Sequence, residues 1–185
     1  NNACTFCSED GQYKLWKGNR RKKSIMITEL ERYNFFTSRF YSAVDIVCKN
    51  PPHVILISDL YGATQSVIDP ATEAIQIIGR FRGGVNTVTH IASIRPDLEC
   101  MSANEIDSWI EGAASIFNGW KKQLARTSNI GERTLLQEAI GENSYLPYLD
   151  ANGKPDPFLI ANLYEKEQVK RLYTSADLLC NAYQQ

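Results

Sequence analysis

The sequence predicts an α/β domain with a parallel sheet, followed by an all-helical region. Three observations support this fold class. A continuous apolar run at residues 53–59 (HVILISD) stands between turn-forming residues, an amphipathic helical pattern follows it, and residues 85–91 then alternate like a strand. Strand, helix and strand in that order are typical of a parallel sheet with helical crossovers. Beyond residues 94–97 the apolar side chains recur at helical spacing.

Composition and charge restrict the possible functions. The 185 residues carry a formal net charge of −1 at pH 7, so any role in binding nucleic acid depends on local patches rather than on a global field. No apolar run approaches the roughly 18 residues that span a bilayer, and the start is not a signal peptide. We therefore expect a cytoplasmic protein. Because the first residue is Asn1, we also expect a piece of a longer polypeptide or a processed one.

The five cysteines are expected to be reduced thiols, because the chain has no secretory signal. Cys4 and Cys7 have the spacing of half a zinc site or of a redox pair. The sequence contains no second Cys-x-x-Cys, and its two histidines are His53 and His90. Since a structural zinc site needs four ligands, we predict no metal site.

The first segments of the chain read as a short apolar piece, a basic run and a strand. Residues 14–23 (KLWKGNRRKK) are strongly basic. This run is either a solvated surface or a contact to a nucleic-acid backbone with Trp16 available for stacking, and the sequence does not separate the two. Residues 33–38 are rich in aromatic and hydroxyl side chains, which predicts a strand running into a loop.

The apolar run at residues 53–59 predicts a central parallel strand that is buried on both faces, because of its length and branched side chains. Residues 85–91 predict a neighbouring strand, on which His90 is interpreted as a structural histidine. One alternative remains open. A small α/β enzyme would use Asp59, Tyr61 and His90 at the edge of the sheet, which requires these side chains to converge in one pocket.

The helix predicted between these strands carries the candidate site. Asp69 suits the cap of its first turn, Pro70 suits its first position, and Gly83 and Gly84 end it. At about 100° per residue one face is apolar and the opposite face is polar. The apolar face comprises Ala74, Ile77, Ile78 and Phe81, and the polar face comprises Gln76, Gly79 and Arg80. An amide, a glycine that lets another group approach and a guanidinium able to hold two oxygens suit a nucleotide phosphate. The alternative is that this face simply meets water.

Gln76, Gly79, Arg80 and Arg82, in the order Gln-x-x-Gly-Arg-x-Arg, resemble motif VI of superfamily 2 helicases and translocases. The resemblance implies that Gln76 and the arginines face ATP held by a first lobe, and that Arg80 acts as an arginine finger. The family commonly places its second Arg three residues after the first, whereas Arg82 comes two residues after. On a regular helix Arg82 therefore points away from Arg80, and it reaches the same phosphate only if the helix unwinds at the two glycines.

The nine residues from Thr37 to Asp45 (TSRFYSAVD) resemble motif V of the same superfamily, with Ala43 where the family usually has a glycine. The resemblance implies that Thr37 and Ser38, together with Arg39, contact the phosphates of a bound strand. It also implies that Asp45 accepts a hydrogen bond from the nucleotide ribose or organises contacts between lobes. The alternative is that Thr37 caps a turn and Asp45 caps the segment that follows.

The last part of the chain is predicted to be helical. Ser102 and Glu105 have the spacing of a capping box, and the apolar stripe that follows predicts a long helix ending near Arg126. Three segments follow, namely a shorter helix at 131–140, a turn-rich connector at 141–155 and one or two helices at 156–183.

The resemblance covers about residues 33–92, with the two motifs in family order and a strand between them. It implies a partial RecA-like lobe of the P-loop NTPase type at residues 1–94 and a helical C-terminal extension at residues 95–185. The parent would be an ATP-dependent superfamily 2 helicase or translocase acting on nucleic acid, DNA in preference to RNA, without membrane contact.

By the same resemblance, ATP and Mg²⁺ are bound mainly by the first RecA-like lobe of the same polypeptide. The chain has no Gly-x-x-x-x-Gly-Lys-Ser/Thr loop and no acidic box, so by itself it is predicted to be inactive as a nucleotide hydrolase and to hold no cofactor. The alternative class is a nucleic-acid or protein binding module that keeps a degenerate lobe and has no ATPase chemistry.

Overall fold

The computed structural model describes residues 2–8, 22–24, 27, 29–41, 44–64 and 66–184, and gives only the backbone of residues 22–24 and 39. The basic run therefore lies outside the described residues except for the backbone of its last two positions, and Trp16 and Ala43 lie outside them altogether. The chain is mixed α/β, as predicted. It separates into a sheet unit, Asn1–Arg95 with Ser175–Gln185, and a helical unit, Pro96–Thr174.

The described strands of the sheet unit form two parallel sheets. Strands β1 (Ala3–Phe6), β2 (Lys22–Ser24) and β3 (Tyr33–Phe36) make a three-stranded sheet in the order β2-β1-β3. Strands β4 (His53–Ser58) and β5 (Thr87–Ala92) make a two-stranded parallel sheet. The predicted parallel pairing of the two later strands is thereby confirmed.

The prediction that β4 is buried on both faces is wrong. Its residues alternate, with Val54, Leu56 and Ser58 buried and with Ile55 and Ile57 exposed to 58% and 57%. Val54 and Leu56 join one apolar cluster with a neighbouring helix, and this cluster covers one face of the strand. An uninterrupted apolar run indicates that a strand is present, but it does not indicate whether one or both faces of that strand are buried.

The helix of the candidate site is shorter than predicted, and α1 spans Glu73–Gly79. At its start, the carboxylate of Asp69 accepts from the Ala71 amide at 3.0 Å and from the Thr72 hydroxyl at 2.6 Å, so the chain turns before it becomes helical. At its end, the backbone after Gly79 pairs with another segment. The predicted faces are present: Ala74 and Ile77 are buried, and Gln76 and Gly79 are exposed.

An aromatic cluster fixes the chain directly after β3. Phe6 and Phe36 stack with ring centroids 4.8 Å apart, and Phe40 meets both rings edge-on. Phe40 is buried and ends a 3₁₀-helix, Ser38–Phe40. The segment that resembles motif V therefore begins at the carboxyl end of β3, where the three aromatic rings pack together.

The helical unit matches the predicted helices closely. It contains α2 (Ala103–Arg126), α3 (Ile130–Gly141) and α4 (Pro157–Leu172). The capping box at the start of α2 is formed by Ser102 and Glu105. The last helix, α5 (Ala176–Ala182), belongs instead to the sheet unit. In the described part of the chain, no helix has the length and apolar character needed to cross a membrane.

Candidate functional site

The two motif-like segments lie side by side in the sheet unit. Ile46 and Phe81 form an isolated parallel bridge. The Ile46 amide donates to the Arg80 carbonyl at 2.7 Å, and the Arg82 amide donates to the Ile46 carbonyl at 3.1 Å. This bridge draws the chain out of the helix after Gly79. It also fixes the backbone of both arginines against the end of the segment that begins at Thr37.

A side-chain contact joins the same two segments. Arg80 is half-buried, and its Nε donates to the carbonyl of Tyr41 at 3.2 Å. Among the described residues, no carboxylate lies at salt-bridge distance from Arg80. A guanidinium has five N–H donors. The Tyr41 contact uses Nε, the donor nearest the aliphatic part of the side chain, and does not use the two terminal amino groups.

Arg82 has a carboxylate partner. Its Nη2 lies 2.7 Å from Oδ1 of Asp45, with both side chains more than half exposed. The hydrogen bond from Arg82, and then the charges of Arg82 and Arg80, hold the pKa of Asp45 below its ordinary value. The same pair raises the pKa of Arg82. Asp45 is therefore ionised at neutral pH and neutralises one of the two arginines.

Gln76 and Gly79 occupy the exposed face of α1, as predicted. A Cβ built on Gly79 would meet no heavy atom within 4 Å, leaving aside the backbone of its own helix. Space for another molecule is therefore available on this face, directly before Arg80.

Thr37 and Ser38 are both exposed after the end of β3. The Thr37 amide donates to the Phe6 carbonyl at 3.1 Å, and the Thr37 carbonyl accepts from the Phe40 amide at 2.9 Å. The Thr37 hydroxyl forms no capping hydrogen bond. The backbone, not this hydroxyl, holds the turn. The backbone of Arg39 lies in the 3₁₀-helix, and its side chain is outside the described part of the chain.

The structure thus brings together Asp45, Arg80 and Arg82. Tyr41 provides a link from this group toward the 3₁₀-helix, because it follows that helix directly. Neither the Tyr41 carbonyl nor the bridge from Ile46 is indicated by the sequence. A backbone carbonyl leaves no residue-type signal, and a single bridge is too short to produce a strand pattern.

Comparison of the chain with protein-family models, with curated proteins and with solved structures finds no match.

A second polar group lies at the carboxyl end of β4. Oδ1 of Asp59 accepts from the amides of Tyr61 and Gly62, both at 3.1 Å, and from the Ser93 hydroxyl at 3.3 Å. These bonds, led by those from the two amides, lower the pKa of Asp59. The Tyr61 hydroxyl donates to the Ile94 carbonyl at 3.3 Å.

His90 has hydrogen-bonding partners at both ring nitrogens. Nε2 lies 3.0 Å from the Ser58 hydroxyl, and Nδ1 lies 2.7 Å from the Tyr183 hydroxyl on the chain after α5. Burial lowers the pKa of His90. These bonds connect His90 to Ser58 and Tyr183, whereas the carboxylate of Asp59 is bonded to its own turn and to the Ser93 hydroxyl. The contacts that the structure describes therefore give His90 a structural environment, and they lend no support to a shared pocket with Asp59.

Proposed function

We propose that this chain is the distal part of the second RecA-like lobe, with a helical extension, of an ATP-dependent superfamily 2 helicase or translocase. It acts on nucleic acid, DNA in preference to RNA, in the cytoplasm. One observation carries the proposal: the two motif-like segments are in contact, and Tyr41 and Asp45 of the first hold Arg80 and Arg82 of the second.

The proposal is supported by the difference between the two arginines. Phosphoryl transfer is catalysed mainly by positioning and by charge compensation at the transferred group. Such compensation needs a cation that is positioned but not already neutralised. Arg80 is tethered at Nε and has no carboxylate partner in the described chain, whereas Arg82 is paired with Asp45. We therefore assign the arginine finger to Arg80, with its terminal amino groups holding two phosphate oxygens.

Arg82 receives a supporting role in this scheme. Its ion pair with Asp45 adds to the backbone bridge between Ile46 and Phe81, and both contacts hold the chain next to Arg80. Asp45 keeps further acceptor capacity, because an ionised carboxylate has about four lone-pair sites. A hydrogen bond from the nucleotide ribose is therefore compatible with the pair.

The remaining roles follow the exposed faces. Gln76 and Gly79 lie on the open side of α1, where Gln76 orients near the phosphate and Gly79 admits it. Thr37, Ser38 and Arg39, which follow β3 in the chain, contact the bound nucleic-acid strand. ATP and Mg²⁺ are held by the first lobe, so this chain supplies charge and strand contacts without hydrolysing ATP alone.

The test uses the full-length polypeptide that also carries a phosphate loop and an acidic box. Arg80→Ala is expected to lower ATP hydrolysis stimulated by nucleic acid by about 10³-fold or more, as for other arginine fingers. Arg80→Lys keeps the charge but cannot hold two phosphate oxygens at once, so its hydrolysis rate is expected to fall by a smaller factor than that of Arg80→Ala. Oligonucleotide affinity is expected to change less than twofold in both variants.

The matched control is Arg95→Ala, which removes an arginine of the same unit that lies over the Tyr61 ring. We expect hydrolysis close to the unmodified rate in this variant. If Arg80→Ala hydrolyses ATP at the unmodified rate, Arg80 is not the arginine finger. A full-length polypeptide without a phosphate loop would favour the binding module without ATPase chemistry.

A further inference from the structure

The helical unit carries a local concentration of positive charge. Between Pro96 and Thr174 there are twelve acidic and eight basic residues, so the unit as a whole is acidic. Half of the basic residues nevertheless fall within a short stretch at the end of α2 and the start of α3, where Glu132 is the single acidic residue. These basic residues are Lys121, Lys122, Arg126 and Arg133.

A shallow surface depression that is widely open to solvent, called the cleft below, lies beside this stretch. It has a volume of about 590 Å³ and is lined by Gly119, Lys122, Gln123, Arg126, Thr127 and Glu132. Lys122 and Arg126 are four residues apart on α2 and therefore lie on the same side of the helix, about 5–6 Å apart at Cβ. Both side chains are exposed.

The acidic residue of the cleft is held by neutral donors. Glu132 accepts from Nε2 of Gln123 at 2.7 Å and from the hydroxyl of Thr127. In the described chain, neither Lys122 nor Arg126 forms a salt bridge with a carboxylate. Both cations are therefore available to an outside ligand.

The other two cations have structural contacts. Nη1 of Arg133 donates to the carbonyls of Leu124 and Thr127, both at 3.2 Å, and so closes the end of α2. Nζ of Lys121 lies 5.4 Å from the centre of the Phe117 ring. The cleft therefore presents two cations, one helical turn apart, on a helix whose end is fixed.

We propose that this cleft binds the phosphate backbone of single-stranded nucleic acid through Lys122 and Arg126. The choice of nucleic acid rests on the proposed function, and the cleft adds a strand contact in the helical unit to that function. Two cations along a groove suit successive phosphates of one strand. No base-reading group is required, so the binding is expected to be independent of sequence and sensitive to salt.

The test measures fluorescence anisotropy of a labelled 20-residue oligothymidylate with the 185-residue chain, without ATP, over a series of NaCl concentrations. Lys122→Glu combined with Arg126→Glu is expected to weaken binding about tenfold or more at roughly 0.1 M salt. Each lost phosphate contact lowers the slope of log affinity against log salt by about 0.7 on a single strand, so the slope should fall by about 1.4.

The matched control combines Lys154→Glu with Lys166→Glu, which changes the charge of the same unit equally at exposed positions outside the cleft. Its affinity is expected to stay within about twofold. Circular dichroism checks that each variant is folded. If the glutamate pair unfolds, Lys122→Gln with Arg126→Gln takes its place, with a smaller expected loss.

Four outcomes would overturn the proposal. The first is that the unmodified chain does not bind the oligonucleotide at low salt, and the second is that the control pair weakens oligonucleotide binding as much as the cleft pair does. The third is that inorganic phosphate or ATP, at equal phosphate concentration, displaces the oligonucleotide completely, and the fourth is that polyglutamate displaces it completely. The third indicates a site for small anions and the fourth a site for acidic proteins. Because ATP hydrolysis plays no part in this measurement, failure of the Arg80 assignment would leave its result unchanged.

Discussion

The guanidinium of Arg82 lies 2.7 Å from the carboxylate of Asp45, across the bridge that joins the two motif-like segments. The hydrogen bond from Arg82 is the largest cause of the lowered pKa of Asp45, and the charge of Arg80 is a smaller one. A carboxylate with a lowered pKa stabilises the folded state above its ordinary pKa of 3.8. This stabilisation is lost as the pH falls through the lower, folded value.

The first prediction is that Asp45 titrates below 3.8 in the folded chain and that Arg82→Gln moves its midpoint up toward that value. Arg80→Gln is expected to raise the midpoint less, because Arg80 acts through charge alone. Carboxyl carbon chemical shifts in an NMR titration measure both changes. Equal shifts in the two variants would show that the hydrogen bond is not the main cause.

The second prediction concerns Gly79. Because an added Cβ there has open space, Gly79→Ala should leave thermal stability unchanged or raise it by up to about 1 kcal/mol, since glycine is a poor helix former. If the open face admits a nucleotide phosphate, the same variant should raise KM for ATP in the full-length polypeptide. Unchanged KM together with unchanged stability would mean that the space at Gly79 is not used.

The third prediction concerns the turn after β4. A Cβ on Gly62 would lie 2.5 Å from Oδ2 of Asp59, so Gly62→Ala must displace the carboxylate that organises this turn. We expect the thermal midpoint to fall by a few degrees. The control is Gly112→Ala in α2, where an added Cβ meets no heavy atom within 4 Å outside the helix backbone, and where the midpoint should stay or rise.

A double-variant cycle tests the cause of that loss. With Asp59→Ala already present, the carboxylate is gone and Gly62→Ala should add little further destabilisation. A loss of the same size in both backgrounds would assign the effect to the backbone of Gly62 instead.

The fourth prediction concerns the pH dependence of the His90 contacts. Burial favours the neutral ring, so the folded pKa of His90 lies below its ordinary value of 6.5. As the pH falls below 6.5, the unfolded chain takes up the proton first, and stability is lost down to the folded pKa. The thermal midpoint should therefore fall further between pH 7.5 and pH 5.5 in the unmodified chain than in His90→Gln.

A fifth prediction tests the contact that joins the C-terminal segment to β5. Tyr183→Phe removes the hydroxyl that lies 2.7 Å from Nδ1 of His90. This change should lower the free energy of unfolding by about 1 kcal/mol. Amide hydrogen exchange should become faster in α5, whose Leu179 is buried, and stay unchanged in α3. Faster exchange in both helices to the same degree would contradict a local role for this contact.

The features that the sequence predicted well depend on residues close together in the chain. The capping box of Ser102 and Glu105 and the opposed faces of α1 both lie within about two helical turns. Alternative partners for such groups are few, because the backbone itself sets which side chains meet. The end of α1 was predicted less well, because a distant segment competes for its backbone after Gly79.

What the sequence by itself determined is the strands β3, β4 and β5, the helices that follow β4, and the exposed face that carries Gln76 and Gly79, whereas β1 and β2 were not predicted as strands. Only the tertiary structure decided that Arg80 bonds to Tyr41, 39 residues away, and that Arg82 rather than Arg80 is neutralised by Asp45. It also decided that β4 is covered on one face. The physical reason is that contacts between distant segments depend on how the whole chain packs, and residue type alone does not specify which of several possible partners a side chain meets.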